Sequence, residues 1–140
     1  MNAVVVDASV ALAWCFDDEA SAGTETVLDI VRQSGALVPG LWHLEVANAL
    51  IQAERRGRNI PGGVPARLEY IGRLPIDIDT DTSRRAWRET LALARAEGLT
   101  TYAAAYLELA LRRGLALATK DNALMAAATK SGVAVLPGPE

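Results

Sequence analysis

Ala3-Val4-Val5-Val6-Asp7-Ala8-Ser9 carries the reading that decides the fold. Four apolar residues, three of them β-branched, are too few for a helix and suit a short strand. No polar residue alternates with them, so the strand is expected to be covered on both faces, as in a parallel sheet. Asp7 then ends the run with a carboxylate where ligands gather in open α/β sheets, beyond the carboxyl ends of the strands.

The same grammar repeats along the chain. Strands are expected near Ala3–Val6, Ala36–Val38, Ile76–Ile78, Leu115–Ala118 and Val133–Leu136. Helical spacing falls between them, at Ala20–Gln33, Leu41–Arg56, Pro65–Leu74, Thr82–Ala96, Tyr102–Arg113 and Asn122–Lys130. Glycine follows each of five of these segments closely, a common way to stop a helix. The alternation implies a three-layer α/β/α fold with parallel strands. No composition shift marks a boundary, so residues 1–140 read as a single domain.

Composition narrows the function. The chain has 140 residues, 51% hydrophobic and 22% charged, which excludes a disordered segment. Its net charge of −3 argues against a general polyanion binder, although local arginines could still guide a nucleic acid past catalytic carboxylates. Cys15 is the single cysteine and is expected to be a small buried residue in a reducing compartment. Asp7 interrupts the opening apolar run too early for a signal peptide. No stretch approaches the roughly 18 uncharged apolar residues of a membrane span. A cytoplasmic protein is the expectation.

Three acids stand at chemically costly places. Asp7 and Asp121 follow the first and fourth expected strands, and Glu45 interrupts the apolar stripe Leu41, Leu44, Val46, Ala49 and Leu50. Asp7 and Asp121 could simply cap the helices that follow them. Glu45 could be an edge-of-stripe residue paired with an arginine. Should the first and fourth strands be neighbours, both aspartates would open onto one crevice. Three carboxylates there would form a hard-cation site, suited to Mg2+ or Mn2+, able to polarise a phosphodiester.

In these residues the chain resembles the PIN-domain nucleases, and most closely their VapC-type toxins. The matching segments are Val5-Val6-Asp7-Ala8-Ser9, Trp42 to Leu50, Leu99-Thr100-Thr101-Tyr102, Ala104-Ala105-Tyr106 and Leu117-Ala118-Thr119-Lys120-Asp121. The resemblance covers nearly the whole chain in the right order. It implies a five-stranded parallel sheet, Mg2+- or Mn2+-dependent endoribonuclease activity on RNA and a VapB-like antitoxin. It also implies Asp7, Glu45 and Asp121 as the acids of the site, with Ser9, Asn48 and Thr119 supporting them. A homodimer is expected from the Ala/Leu-rich helices.

The departure is Ala103, where the family pattern has aspartate. Thr100 reads as a helix cap, and the third helical position after it is favourable for an acid. Alanine keeps the helix but removes a ligand and a negative charge. The expectation is a nuclease weakened or inactivated at Ala103, through natural change or deliberate replacement. The alternative is a non-catalytic binding module that dimerises and holds an antitoxin peptide or RNA. A phosphotransferase using Asp7 as nucleophile would want a second aspartate two residues on, where Ser9 stands.

The remaining candidates read more plainly. His43 is the only histidine and is expected at a helix start or the surface. Trp14, Trp42 and Trp87 are expected as core or interface anchors. Arg55, Arg56, Arg58, Arg84, Arg85 and Arg88 are expected on solvated faces, in reach of RNA phosphates.

Overall fold

The structure, a computed structural model, describes residues 3–138. Five parallel strands form one sheet: β1 Val4–Val6, β2 Ala36–Pro39, β3 Ile76–Asp79, β4 Leu117–Ala118 and β5 Val135–Leu136. Each expected strand exists, with β2 and β3 one residue longer than expected and β1, β4 and β5 trimmed at their starts. Their order is β3-β2-β1-β4-β5, so the chain winds outward from β1 and then crosses back to β4. The reversal makes the gap above β1 and β4 the switch point, where α/β sheets place their ligands.

Eight helices connect or flank the strands among the described residues: α1 Ala8–Ala13, α2 Ala22–Ser34, α3 Trp42–Arg55, α4 Gly63–Gly72, α5 Thr82–Arg85, α6 Leu91–Glu97, α7 Thr101–Arg113 and α8 Asn122–Lys130. The core is the sheet centre with the apolar faces laid on it. Val4, Val5 and Val6 are buried, as their unbroken apolar run requires. On α3 the buried stripe is Trp42, Val46, Leu50 and Ala53, spaced at three or four residues. Leu44 lies off that stripe and is 76% exposed, which corrects its assignment to the apolar face. Helix α7 is buried continuously from Ala104 to Ala110, because it packs along β1, β2 and β4.

Local chemistry sets the helix ends. Ser21 opens α2 through a reciprocal box with Thr24, moving the start two residues beyond the expected Ala20. Gly35 closes it at φ +84° and ψ 172°, a combination that essentially only glycine adopts. A Cβ there would also stand 3.2 Å from the Pro75 carbonyl oxygen. Gly35→Ala is therefore expected to cost about 1–3 kcal/mol, read as a lower urea midpoint at unchanged slope.

The expected helix 82–96 is not uniform. Between α5 and α6 the backbone forms a π-helical turn over Ala86–Thr90. The widened turn changes the register of the side chains, so Thr90 and Ala94 face inward while Trp87 is 90% exposed. Trp87 is thus no core anchor, whereas Trp14 and Trp42 are buried. Among the described residues no helix is long and apolar enough to cross a membrane.

Candidate active site

Asp7 leaves β1 and caps α1, so one residue ends a strand and starts a helix. Its Oδ1 accepts from the Ser9 amide at 3.0 Å, the Ser9 hydroxyl at 2.5 Å and the Val10 amide at 3.4 Å. Its Oδ2 accepts from the Thr119 hydroxyl, which in turn accepts from the Asp121 amide at 3.0 Å. The Ser9 hydroxyl also accepts from the Lys120 amide at 2.9 Å. Two hydroxyls therefore sew the β1–α1 junction to the β4–α8 junction. This follows from the pairing of β1 with β4, which puts Val6 beside Ala118. The buried Asp7 has its pKa raised: burial outweighs the hydrogen bonds from Ser9 and Thr119 that lower it.

Glu45 sits in the first turn of α3, half-buried. Its Oε1 accepts from the Tyr106 hydroxyl at 2.5 Å. Burial raises the Glu45 pKa, the Tyr106 bond opposes this, and the charge of Asp7 raises it further. The two carboxylates are thus within electrostatic reach of each other. Tyr106 is pushed far up by burial and by both acids, so it stays a protonated donor. Sequence reading quoted Tyr106 only within a matching segment and missed this role. The available signal was a tyrosine in a buried helical run, whose hydroxyl needs a partner.

Asp121 caps α8, with Oδ1 accepting from the Leu124 amide at 2.9 Å, and it is exposed. The capping roles of Asp7 and Asp121 are both realised. Ala103 is the third residue of α7, with its amide donating to the Thr100 cap at 3.1 Å. It precedes Tyr106 by three positions and so shares its helix face. Asn48 lies exposed on α3 one turn after Glu45. His43 is exposed at the start of α3, edge-on to Trp42 at 4.9 Å.

Among the described residues, no three His, Cys, Asp or Glu side chains form a group that could hold a metal ion. The acid pair Asp7 and Glu45 still suits a hard cation. The donors are oxygens, neither carboxylate is paired with a cation among the described residues, and both are disfavoured as anions by burial. Mg2+ is commonly held by one or two carboxylates with its remaining positions taken by water. Asp7→Asn is expected to leave the unfolding midpoint equal to or above that of the unchanged chain. It removes a buried charge, and asparagine caps helices as well as aspartate. Thermal unfolding without added metal checks this.

The expected solvated arginines divide. Arg58 lies over the Phe16 ring at 3.8 Å and pairs with Asp18 at 2.9 Å and Glu19 at 3.0 Å, so it is a folded-in contact and not a free cation. Arg84 and Arg85 pair with Asp81, and Arg88 is exposed.

An all-parallel α/β sheet with Asp7 at its switch point and Glu45 within electrostatic reach on the neighbouring α3 is a nuclease-like arrangement. The model of the PIN domain matches residues 4–130, and the chain belongs to this family, whose members are generally nucleases. The chain is also similar to the crystal structure of PAE2754 from Pyrobaculum aerophilum. That likeness has a TM-score of 0.67 and 24% identity, covers 90% of this chain and 84% of the other, and concerns the fold. Comparison with curated proteins gives no match.

Proposed function

We propose that this chain is the scaffold of a divalent-metal-dependent endoribonuclease of the VapC type. It would act in the cytoplasm as the toxin of a pair with a VapB-like antitoxin, as a homodimer of single-domain protomers, with cleavage weakened by Ala103. The observation that carries the reading is two acids held in place at the carboxyl edge of the sheet, Asp7 fixed by Ser9 and Thr119 at the switch point and Glu45 fixed by Tyr106 on α3. Such carboxylates cost stability when no cation offsets them, which is expected of a site kept for chemistry. PIN nucleases usually use divalent metals.

Asp7 and Asp121 would hold Mg2+ or Mn2+ directly and Glu45 directly or through water, with Ala103 marking the ligand that is missing. Bound there, the cation supplies polarisation of the scissile phosphate and offsets the charge of the acids. Ser9 and Thr119 hold both Asp7 oxygens in one orientation, so the carboxylate need not be ordered when substrate arrives. Tyr106 does the same for Glu45 across the gap between α3 and α7. Exposed arginines such as Arg88 would meet RNA phosphates against the net charge of the chain.

A non-catalytic binding module is the second reading, favoured by the capping use of Asp121 and by the two-acid site. RNA cleavage by the unchanged chain and by Ala103→Asp, with Mg2+, with Mn2+ and with chelator, separates the two. Metal-requiring cleavage in the variant supports the nuclease; silence from both on a broad RNA panel leaves the binding module.

A further inference from the structure

A cavity of about 610 Å³ opens above the carboxyl ends of β2 and β3. It is not a separate region of the surface. Leu41 lines it and accepts through its carbonyl from the Glu45 amide at 3.0 Å. Across the cavity, Tyr102 and Ala105 line it from α7, and each is the sequence neighbour of a residue in the site, Ala103 and Tyr106. The cavity and the acid site are therefore built on the same two elements, the start of α3 and the first two turns of α7.

Its lining is apolar but edged with hydroxyls. Thr80, Thr82, Ser83, Thr90 and Thr101 line it beside Leu41 and Ile78, and the carboxylate of the lining Asp79 is taken up by Arg112 and Thr82. Thr90 is the informative residue. It is 2% exposed and its Oγ1 has no hydrogen-bond partner among the described residues. It also ends the π-helical turn Ala86–Thr90, and such turns recur at functional sites. A buried hydroxyl without a partner costs free energy, which a hydrogen bond from an occupant of the cavity would recover. At the mouth, Tyr102 is 63% exposed. Arg88 is exposed on the turn that ends at Thr90.

We propose that this cavity takes one unstacked nucleobase of a single-stranded RNA next to the phosphate held at the acid pair. Tyr102 stacks on the base and Thr90 hydrogen-bonds its edge. The proposal rests on the nuclease reading above and adds the determinant of base preference. An aromatic at the mouth, hydroxyls on the wall and an arginine outside match the three parts of a nucleotide. An apolar occupant would leave the Thr90 hydroxyl without a partner, whereas a nucleobase edge supplies one.

The test is binding, so the weakened chemistry does not enter. Fluorescence anisotropy with labelled A7, C7 and U7 RNA, with Ca2+ and with chelator, gives affinity with and without a cation at the acids, and homopolymers remove register. The unchanged chain is expected to prefer one of the three at least fivefold. Tyr102→Ala is expected to weaken all three about tenfold. Thr90→Val should erase the preference and Thr90→Ser retain it. Thr90→Val is nearly isosteric and removes an unsatisfied group, so its fold should hold, and circular dichroism checks this. RNA binding with affinity and preference untouched by these variants overturns the pocket and leaves the nuclease reading standing. Sedimentation showing that Tyr102→Ala splits a dimer while RNA affinity is unchanged also overturns it, making the cavity a chain–chain contact. An unchanged chain that binds none of the RNAs overturns the pocket, and the cleavage assay with Ala103→Asp decides the nuclease reading separately.

Discussion

Ala103→Asp is expected to raise metal-dependent RNA cleavage on the order of 100-fold. A ligand that completes a catalytic cation site contributes several kcal/mol of charge stabilisation, and about 2.7 kcal/mol corresponds to that factor. The backbone is ready for the change. Ala103 is half-buried at the third position of α7, its amide already held by Thr100, and it shares a helix face with the Tyr106 that grips Glu45. An acid in the first turn is also favoured by the helix dipole, by about 0.3–1 kcal/mol. The opposing effect is repulsion from Asp7 and Glu45. Without metal the variant is therefore expected to unfold at a lower temperature than the unchanged chain. Saturating Mn2+ should restore it, since a ligand at 100 times its Kd stabilises by about 2.7 kcal/mol. Cleavage assays and thermal unfolding, each with and without chelator, read the two effects separately. Equal cleavage by both proteins would place residue 103 outside the site.

Arg112→Leu is expected to cost about 3–5 kcal/mol in urea unfolding at pH 7. Arg112, near the end of α7, donates to both oxygens of Asp79 at 3.1 and 2.8 Å, and to Glu108 at 2.9 Å. Asp79 and Glu108 are 7% and 6% exposed, so removing the guanidinium strands two acids in the interior. Lysine would not rescue this well, because it lacks the planar fork that grips both acids at once. Thr82 adds a hydroxyl bond to Asp79 at 2.6 Å, which ties the start of α5 to the same network. Sequence reading placed no weight on any of these residues.

The acid limb of the stability curve should show the network directly. Arg112 beside Asp79 holds its carboxyl down at about 2, from an ordinary value of 3.8. The folded pKa lies below the unfolded one, so this contribution is complete above roughly pH 4–5 and lost as pH falls through 2. A shift of that size is worth about 2.5 kcal/mol. In Arg112→Leu the sign reverses. Buried acids without a cation have raised pKa values, so the variant should gain stability as pH falls from 7 towards 5. Urea midpoints across pH 3–7 for both proteins check it.

How much could be read from the chain depended on the distance over which each feature is decided. The central strands were visible because a parallel strand buried on both faces leaves an unbroken apolar run, as in Val4-Val5-Val6, and the edge strand β3 because its β-branched Ile76 and Ile78 alternate with Asp77 and Asp79. Helix ends were visible because Thr100, Asp121 and Gly35 act on their own backbone neighbours. The orientation of Trp87 was not visible. A π-helical turn moved it off the face that a regular helix would give it, and nothing local announces that turn. Nor was the exposure of Leu44, since an apolar residue beside a stripe and one within it look alike until the neighbouring layer is placed.

The same division holds at the candidate site. The sequence by itself determined which acids stand at strand ends and helix starts, and that residue 103 is an alanine, because strand pattern and capping are settled within a few residues. Only the tertiary structure decided who holds whom. The Tyr106–Glu45 bond spans 61 positions, the Thr119–Asp7 bond 112, and the Arg112–Asp79 pair 33. Those contacts exist because the sheet runs β3-β2-β1-β4-β5, and strand order is a property of the packed core as a whole.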